Sequence, residues 1–266
     1  MTDTCSDLPP AEIPVVILCG GAAILIDESG SRFNKARIPV AGEPLVIHVL
    51  RSYLQAGFRR FILATGLQGE QLSAELAARY GYQDTPSRLV IDGICAEVVT
   101  VDTGAATPTG ARLQAVRAQL GTPARFCVTY CDTVSTVDPS EVLAAHRNHG
   151  RLVTMLATQI PTRFRILGLR HGDPVVYGFM DQPLVANDPI NGGFYVFEGA
   201  VLGARYLGVP VPGLVLETTV LEALVADRQV VSFPYRGPWH FLDSERDIAR
   251  VTRIAEQIKA RGPARP

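Results

Sequence analysis

The sequence predicts an α/β fold: a doubly wound, mixed but mainly parallel sheet, with short β-strands added in the second half. Three observations carry this. From residue 15 to residue 81 short apolar runs alternate with amphipathic segments, the pattern of strand–helix–strand units. The amphipathic segments are closed by glycine, the usual helix terminator. Beyond residue 150 the pattern changes to short β-rich stretches separated by turn residues, which predicts a mixed sheet with antiparallel additions covering the first half.

In chain order, VVIL (15–18) reads as a buried strand. PLVIHVLRSYLQAG (44–57) reads as a helix, because Leu45, Val49 and Leu50 recur at helical steps and Gly57 follows the last turn. RFILATG (60–66) is the next strand and QGEQLSAELAARYG (68–81) the next helix. AEVVTVDT (96–103) and ARFCVTYCD (124–132) are further strands, the second ending at an aspartate. PSEVLAAHRNHG (139–150) carries Pro and Ser at its start and Gly150 at its end, the signature of a capped helix. LVTMLATQI, RFRILGLR, GDPVVYGF and GGFYVF supply the β-rich second half. A final helix is expected over 244–262, with Ile248, Val251 and Ile254 on one face. The organisation expected is one domain over 14–262, a flexible N-terminus (1–13) and a frayed tail (263–266).

With 266 residues, 47% hydrophobic and 19% charged, the chain can bury a single large core. A net charge of −1, from 25 basic and 26 acidic residues, argues against broad binding to nucleic acid or anionic membranes. The N-terminus lacks the apolar core of a signal peptide, and no stretch approaches a membrane span. A soluble, cytoplasmic protein is expected. Its five cysteines have no metal-site spacing and read as free thiols.

In open α/β sheets ligands bind beyond the carboxyl ends of the strands, so residues just after strands are the candidates. Gly20 and Gly21, after the first strand, let main-chain N–H groups approach a phosphate. Asp132 presents a carboxylate at a strand tip, and Asp243 a second one before the last helix. A Thr- and Gly-rich loop (102–116) leads through Arg112 into a helix. Each feature also has a plain structural reading: a tight turn for the glycines, a turn cap for Asp132, a helix N-cap for Asp243. CGGAAI does not supply the G-x-G-x-x-G of dinucleotide dehydrogenases. Nor does Asp132 have the second acid, two residues on, of metal-dependent glycosyltransferases.

Taken together and in order, these stretches resemble the sugar-1-phosphate nucleotidyltransferase family, and most closely its glucose-1-phosphate cytidylyltransferase branch. The family's strand, G-G-x-G-T-R loop, P-K-P run and G-x-P correspond to residues 20–44 without a gap. Its T-G-x-x-T-x-T-G-G-R loop appears as TGAATPTGAR (103–112), and its T-Y-G-D-G-V-x-D-V-D as TYCDTVSTVD (129–138). INGGFYV (190–196), GPWHFLDSERD (237–247) and Glu217 before a helix complete the match, from about residue 14 to about 256.

The resemblance implies a Rossmann-like nucleotidyltransferase fold and a reaction. A sugar 1-phosphate attacks the α-phosphorus of a nucleoside triphosphate, most simply CTP, and expels pyrophosphate. It implies Mg²⁺ held by Asp132 and Asp243, with Lys35 neutralising charge at the reacting phosphates. Leu18, Gly20, Gly21, Thr109, Gly110, Arg112 and Asp132 would line the nucleotide. Asp181, Gln182, Asn191, Gly192 and Glu217 would hold the sugar phosphate. It also implies a homo-oligomer. Three departures stand out. The family's catalytic arginine falls on Leu25, its sugar-phosphate lysine on Gln182, and its P-K-P run on Asn34-Lys35-Ala36. GSRF (30–33) reads like a displaced G-T-R-L, so Arg32, or Arg37 beyond it, is the candidate replacement. A catalytically silent relative that still binds a nucleotide or nucleotide sugar is the competing expectation.

Overall fold

The computed structural model describes residues 8–20, 25–26, 32–81, 88–159, 166–169, 176–180, 189–208, 211 and 213–262. Gly21, Asp181, Gln182, the first seven residues and the tail lie outside these, and Arg32 is described by its backbone alone.

Eight strands form one sheet: β1 (Pro14–Leu18), β2 (Arg60–Thr65), β3 (Arg88–Ile91), β4 (Ile94–Asp102), β5 (Arg125–Tyr130), β6 (Val153–Thr158), β7 (Ile190–Glu198) and β8 (Val230–Pro234). Their spatial order is β8-β6-β7-β5-β1-β2-β4-β3. β1 runs parallel to β2 and β5, β2 to β4, and β6 to β8. β7 is antiparallel to both neighbours, and β3 is an antiparallel edge.

The central strand shows why the sheet is covered on both faces. Its side chains alternate, as any strand's do. Val15 and Ile17 enter one apolar cluster while Val16 and Leu18 enter the other. On the first face lie α1 (Leu45–Gln55), α2 (Gly69–Tyr80), α5 (Pro139–Arg147) and α7 (Ile248–Arg261), through residues such as Leu50, Leu72, Val142 and Val251. On the second lie α3 (Thr109–Ala115), α4 (Arg117–Leu120) and α6 (Leu221–Ala226), through Leu113, Leu120 and Leu224.

Four sequence expectations change in detail. The β-rich second half extends the same sheet through β6, β7 and β8 instead of covering it, while Ile166–Leu169 and Val176–Met180 pair apart as a two-stranded hairpin. The helix after residue 138 is capped by Asp138, whose side chain accepts from Ser140 N at 2.8 Å, and Pro139 is its first residue. The last helix starts as a 3-10 turn, Glu245–Asp247, before α7. That turn is capped by Ser244 in a reciprocal box with Asp247, so Asp243 is not the cap.

Candidate functional site

The carboxyl ends of β1, β2, β4 and β5 meet along one edge of the sheet. Beyond β5 the chain forms a short strand, Thr133–Ser135, antiparallel to Trp239–Phe241, with Thr133 opposite Phe241. Antiparallel pairing places the residue before Thr133 beside the residue after Phe241, and Leu242 N indeed donates to Asp132 O at 2.8 Å. This ladder carries Asp243 to Asp132 across more than a hundred residues of chain. Trp239 Nε1 donates to Gly192 O at 2.9 Å and so pins the ladder to β7.

Both acids face one ammonium. Lys35 Nζ lies 3.1 Å from Asp132 Oδ2 and 3.3 Å from Asp243 Oδ1. Lys35 is buried at 6% exposure, whereas the Asp243 side chain is 58% exposed. Among the described residues, the Asp243 carboxylate receives a hydrogen bond only from Lys35, and Asp132 one further contact, from Thr133 Oγ1 at 3.4 Å. The pair of acids is therefore open to solvent on one side and only partly satisfied.

A second group adjoins the first through Tyr130, two residues before Asp132. The Tyr130 hydroxyl donates to Glu217 Oε1, and Thr109 Oγ1 donates to Glu217 Oε2 at 2.7 Å. Thr109 Oγ1 also accepts from Leu216 N at 2.9 Å, at the start of a one-turn π-helix, Leu216–Val220. Gly110 has no room for a side chain, because a Cβ would meet Leu214 at 2.9 Å. The INGG run fits the same neighbourhood. Gly193 has φ +72° and lies under the Tyr130 ring, where a Cβ would meet Cδ2 at 2.8 Å. Asn191 Nδ2 donates to the Tyr195 hydroxyl at 2.6 Å, and its Oδ1 accepts from Gly193 N at 3.0 Å.

Arg112, expected to line the nucleotide, is turned into the protein. It is 1% exposed, and its guanidinium donates to Gly20 O, to Thr65 O at 2.9 Å, to Thr103 Oγ1 at 2.5 Å and to Ala105 O at 3.2 Å. It ties the ends of β1 and β2 to the Thr-Gly loop, and burial lowers its pKa. A Cβ on Gly20 would collide with it, which explains the glycine there. Arg37 is held by Glu75 Oε2 at 3.3 Å and Gln68 Oε1 at 3.3 Å, towards α2. Arg32 returns to the first loop by its backbone. Leu25–Ile26 and Arg32–Phe33 form a two-stranded hairpin in which Ile26 pairs with Arg32 and Leu25 with Phe33.

Tyr130 and Asp247 adjoin these residues without having been singled out from sequence, and Asn34 was noted only as a departure from the P-K-P run. Asp247 accepts from Asp243 N at 3.2 Å, Ser244 N at 2.8 Å and His240 Nε2 at 3.1 Å, and so fixes the backbone that presents Asp243. The signal for Asn34 was visible: it stands beside the site lysine where the resembled pattern has proline.

A family model described as the MobA-like NTP transferase domain matches residues 15–188. The chain belongs to this family. It is a nucleotidyltransferase. Among curated proteins it is 27% identical to glucose-1-phosphate cytidylyltransferase of Salmonella typhimurium, over 92% of this chain and 96% of the relative. It is 24% identical to a probable glucose-1-phosphate cytidylyltransferase of Bacillus subtilis, over 91% and 96%. Among solved structures, HddC from Yersinia pseudotuberculosis complexed with GMP-PN superposes with a TM-score of 0.65 at 14% identity, covering 91% of this chain and 98% of that one. The inositol-1-phosphate CTP transferase from T. maritima gives 0.65 at 16% identity, covering 97% and 100%. At these identities the structures attest the NTP-transferase fold. No helix among the described residues is long and apolar enough to cross a membrane.

Proposed function

We propose that this enzyme transfers CMP from CTP to a sugar 1-phosphate, with Mg²⁺, and releases pyrophosphate. The observation that carries the reading is the convergence of Asp132 and Asp243 on Lys35 at the carboxyl edge of the sheet. Two carboxylates from separate segments suit a hard cation that keeps most of its positions for phosphate oxygens and water. Among the described residues no group of three or more His, Cys, Asp or Glu is arranged to hold a metal. When bound, Mg²⁺ would neutralise charge on the phosphates and align them.

The chain's own residues have the remaining tasks. A phosphate oxygen of the sugar 1-phosphate attacks the α-phosphorus, and the bond to the β-phosphate oxygen breaks as pyrophosphate leaves with the electron pair. Little covalent help is needed, so catalysis is positioning and charge compensation. Lys35 supplies a cation beside the acids. The main chain at Gly20 and Gly21, flanked by Leu18, Thr109 and Gly110, receives the nucleotide. Arg112 acts by fixing that loop. Glu217, Asn191 and Gly192 face the sugar, joined by Asp181 and Gln182. Arg32 is the proposed replacement for the arginine whose place Leu25 takes, on the strength of the GSRF match; its backbone pairs with Ile26, next to Leu25 in the chain.

CTP, in place of another triphosphate, rests on the cytidylyltransferase relatives. Guanylyltransferases also match: mannose-1-phosphate guanylyltransferase catalytic subunit beta of Drosophila pseudoobscura is 24% identical, and this chain spans 60% of it. A homo-oligomeric, cytoplasmic enzyme with small-molecule partners completes the reading, and the near-zero net charge agrees with the absence of a nucleic-acid partner.

The test is pyrophosphate release from each triphosphate against a panel of sugar 1-phosphates. CTP should give the highest kcat/KM, Arg32→Ala should lower kcat by about 10³ or more, and Arg37→Ala should leave it within a few-fold. Folded protein that binds CTP yet releases no pyrophosphate with any acceptor would replace this reading by that of a silent, nucleotide-binding relative.

A further inference from the structure

Lys35 sits in a three-residue 3-10 turn, Lys35–Arg37, which cannot hold its own shape. Something outside the turn must fix it. The neighbour that does so is Asn34, which is 6% exposed. Its Nδ2 donates to Cys19 O at 2.8 Å and to Leu67 O at 2.8 Å, and its Oδ1 accepts from Ala36 N at 2.9 Å. Its own main-chain N–H donates to Gln68 Oε1 at 3.1 Å. Both amide protons and the amide oxygen are thus engaged, each by a different segment: the end of β1, the loop after β2, and the lysine's own turn.

We propose that Asn34 is a positioning residue of the site: its side-chain amide fixes Lys35 between Asp132 and Asp243 and couples that lysine to the main chain entering the glycine loop. The inference rests on the function proposed above for its kinetic consequences, though not for its geometry.

Three features point the same way. The amide is chemically specific. Two carbonyls need two donors while Ala36 N needs an acceptor, and no other side chain of this size supplies both from one planar group. A carboxylate would face two carbonyl oxygens; a leucine would strand two buried acceptors. The neighbouring residue suits it. Two flanking prolines would restrain the lysine by locking φ on either side. Here Ala36 keeps the N–H that a proline would lack, and that N–H is the donor to Asn34. Finally, the bond to Cys19 O fixes a peptide plane. A trans peptide then directs Gly20 N–H to the opposite side, away from Asn34, while Gly20 O is held by Arg112. Lysine position and loop orientation are therefore set by one side chain.

The composition makes this testable. Only two of the chain's 25 basic residues are lysines, Lys35 and Lys259. Lys259 is 54% exposed and Lys35 6%. Reductive methylation of the full-length protein with formaldehyde and borohydride, read by mass spectrometry of its peptides, reports each lysine separately from the N-terminal amine and without any activity. Wild-type protein should methylate Lys259 at least about tenfold faster than Lys35. Asn34→Ala and Asn34→Asp should bring Lys35 to within about threefold of Lys259. Gln55→Ala removes a comparable bond, to Ile258 O at 2.8 Å, far along α1, and should leave Lys35 protected; this separates local release from general loosening.

The kinetic arm is a double-mutant cycle on pyrophosphate release. A displacement of about 1 Å costs about 10² in rate, so Asn34→Ala should lower kcat about 10²-fold with KM changed less than about threefold. In a Lys35→Ala background the same substitution should cost at least about threefold less than in the wild type, because the part of its action that runs through the lysine is gone and only the part through the Cys19 peptide is left. Lys35 protection unchanged in both Asn34 variants, or equal costs in the two backgrounds, overturns the proposal. If wild-type protein turns over no substrate pair, the functional reading fails by itself, and the methylation pattern still decides the role of Asn34.

Discussion

Two cations in this molecule are each flanked by two carboxylates, and they behave oppositely. Arg51, on α1, is nearly fully buried and binds Asp92 at 2.5 and 3.1 Å and Glu43 at 2.9 Å. Glu43 also accepts from the Tyr80 hydroxyl at 2.9 Å, and His48 Nδ1 lies 3.2 Å from the guanidinium. That cluster is saturated. Lys35 has one ammonium at longer range from two acids that, among the described residues, receive few other hydrogen bonds and face solvent. A planar fork bonded along its edges staples the α1–α2 side of the fold, whereas a point charge between under-satisfied acids can admit further ligands. The difference lies in saturation, not in charge. The Arg51 cluster is knitted into the fold by many bonds, and the Lys35 cluster, at the strand ends, is the one for which a substrate role is proposed.

Breaking each cluster should therefore show in a different measurement. The largest effect is expected from Lys35→Ala, which should lower kcat about 10³-fold or more and shift Tm by only a few degrees. Next, Arg51→Ala leaves two acids without their buried partner and should cost about 3–5 kcal/mol of stability in urea unfolding, with kcat of the folded protein unchanged. Acid unfolding sharpens the contrast further. Burial works against the charge on Glu43, but hydrogen bonds from Arg51 and Tyr80 outweigh it and hold the carboxyl down at about 2. Burial likewise opposes the charge on Asp247, which Ser244 and His240 hold down at about 2.

A carboxyl with a depressed folded pKa contributes stability above its unfolded value, near 4, and loses it as the pH falls towards the folded value. Stability should thus fall between about pH 4 and pH 2, by roughly 2–3 kcal/mol per group, and Glu43→Gln should remove part of that slope. The smallest effect belongs to a third ion pair. Arg205 and Asp227 bond bidentately on the surface, where solvent screens the pair, and Asp227→Asn should leave the urea unfolding midpoint close to that of the wild type.

Much of this fold was readable because its central strands are apolar on both faces. β1, β2 and β5 stand out as continuous apolar runs, and the helices between them as periodic segments with glycine stops. The edges were harder. β3 alternates exposed and buried residues over four positions, and β8 is only partly buried, so neither has a run long enough to separate it from loop. The pairing of Thr133–Ser135 with Trp239–Phe241 joins segments a hundred residues apart, which no local pattern reports.

In the site, residue types were legible but their bonds were not. Arg112 looked like a ligand-facing cation in a loop. Placed in α3, it faces inward to four main-chain and side-chain oxygens. Asp243 had an ordinary alternative as a helix cap, removed only by the box that Ser244 makes with Asp247. Asn34 was visible only as a departure from the P-K-P run; two of its three side-chain bonds, to Cys19 O and Leu67 O, exist only once β1 and the loop after β2 are side by side.

The open cluster is the centre of the account, and one titration tests it. Mn²⁺, used as a paramagnetic substitute for Mg²⁺, can be titrated into protein saturated with CTP and followed by loss of the free-ion signal. Wild-type protein should bind one ion, Asp132→Asn and Asp243→Asn should each weaken binding by tenfold or more, and Glu43→Gln should leave it unchanged. Equal binding in wild type and both aspartate variants would contradict the assignment of these two acids to a shared cation.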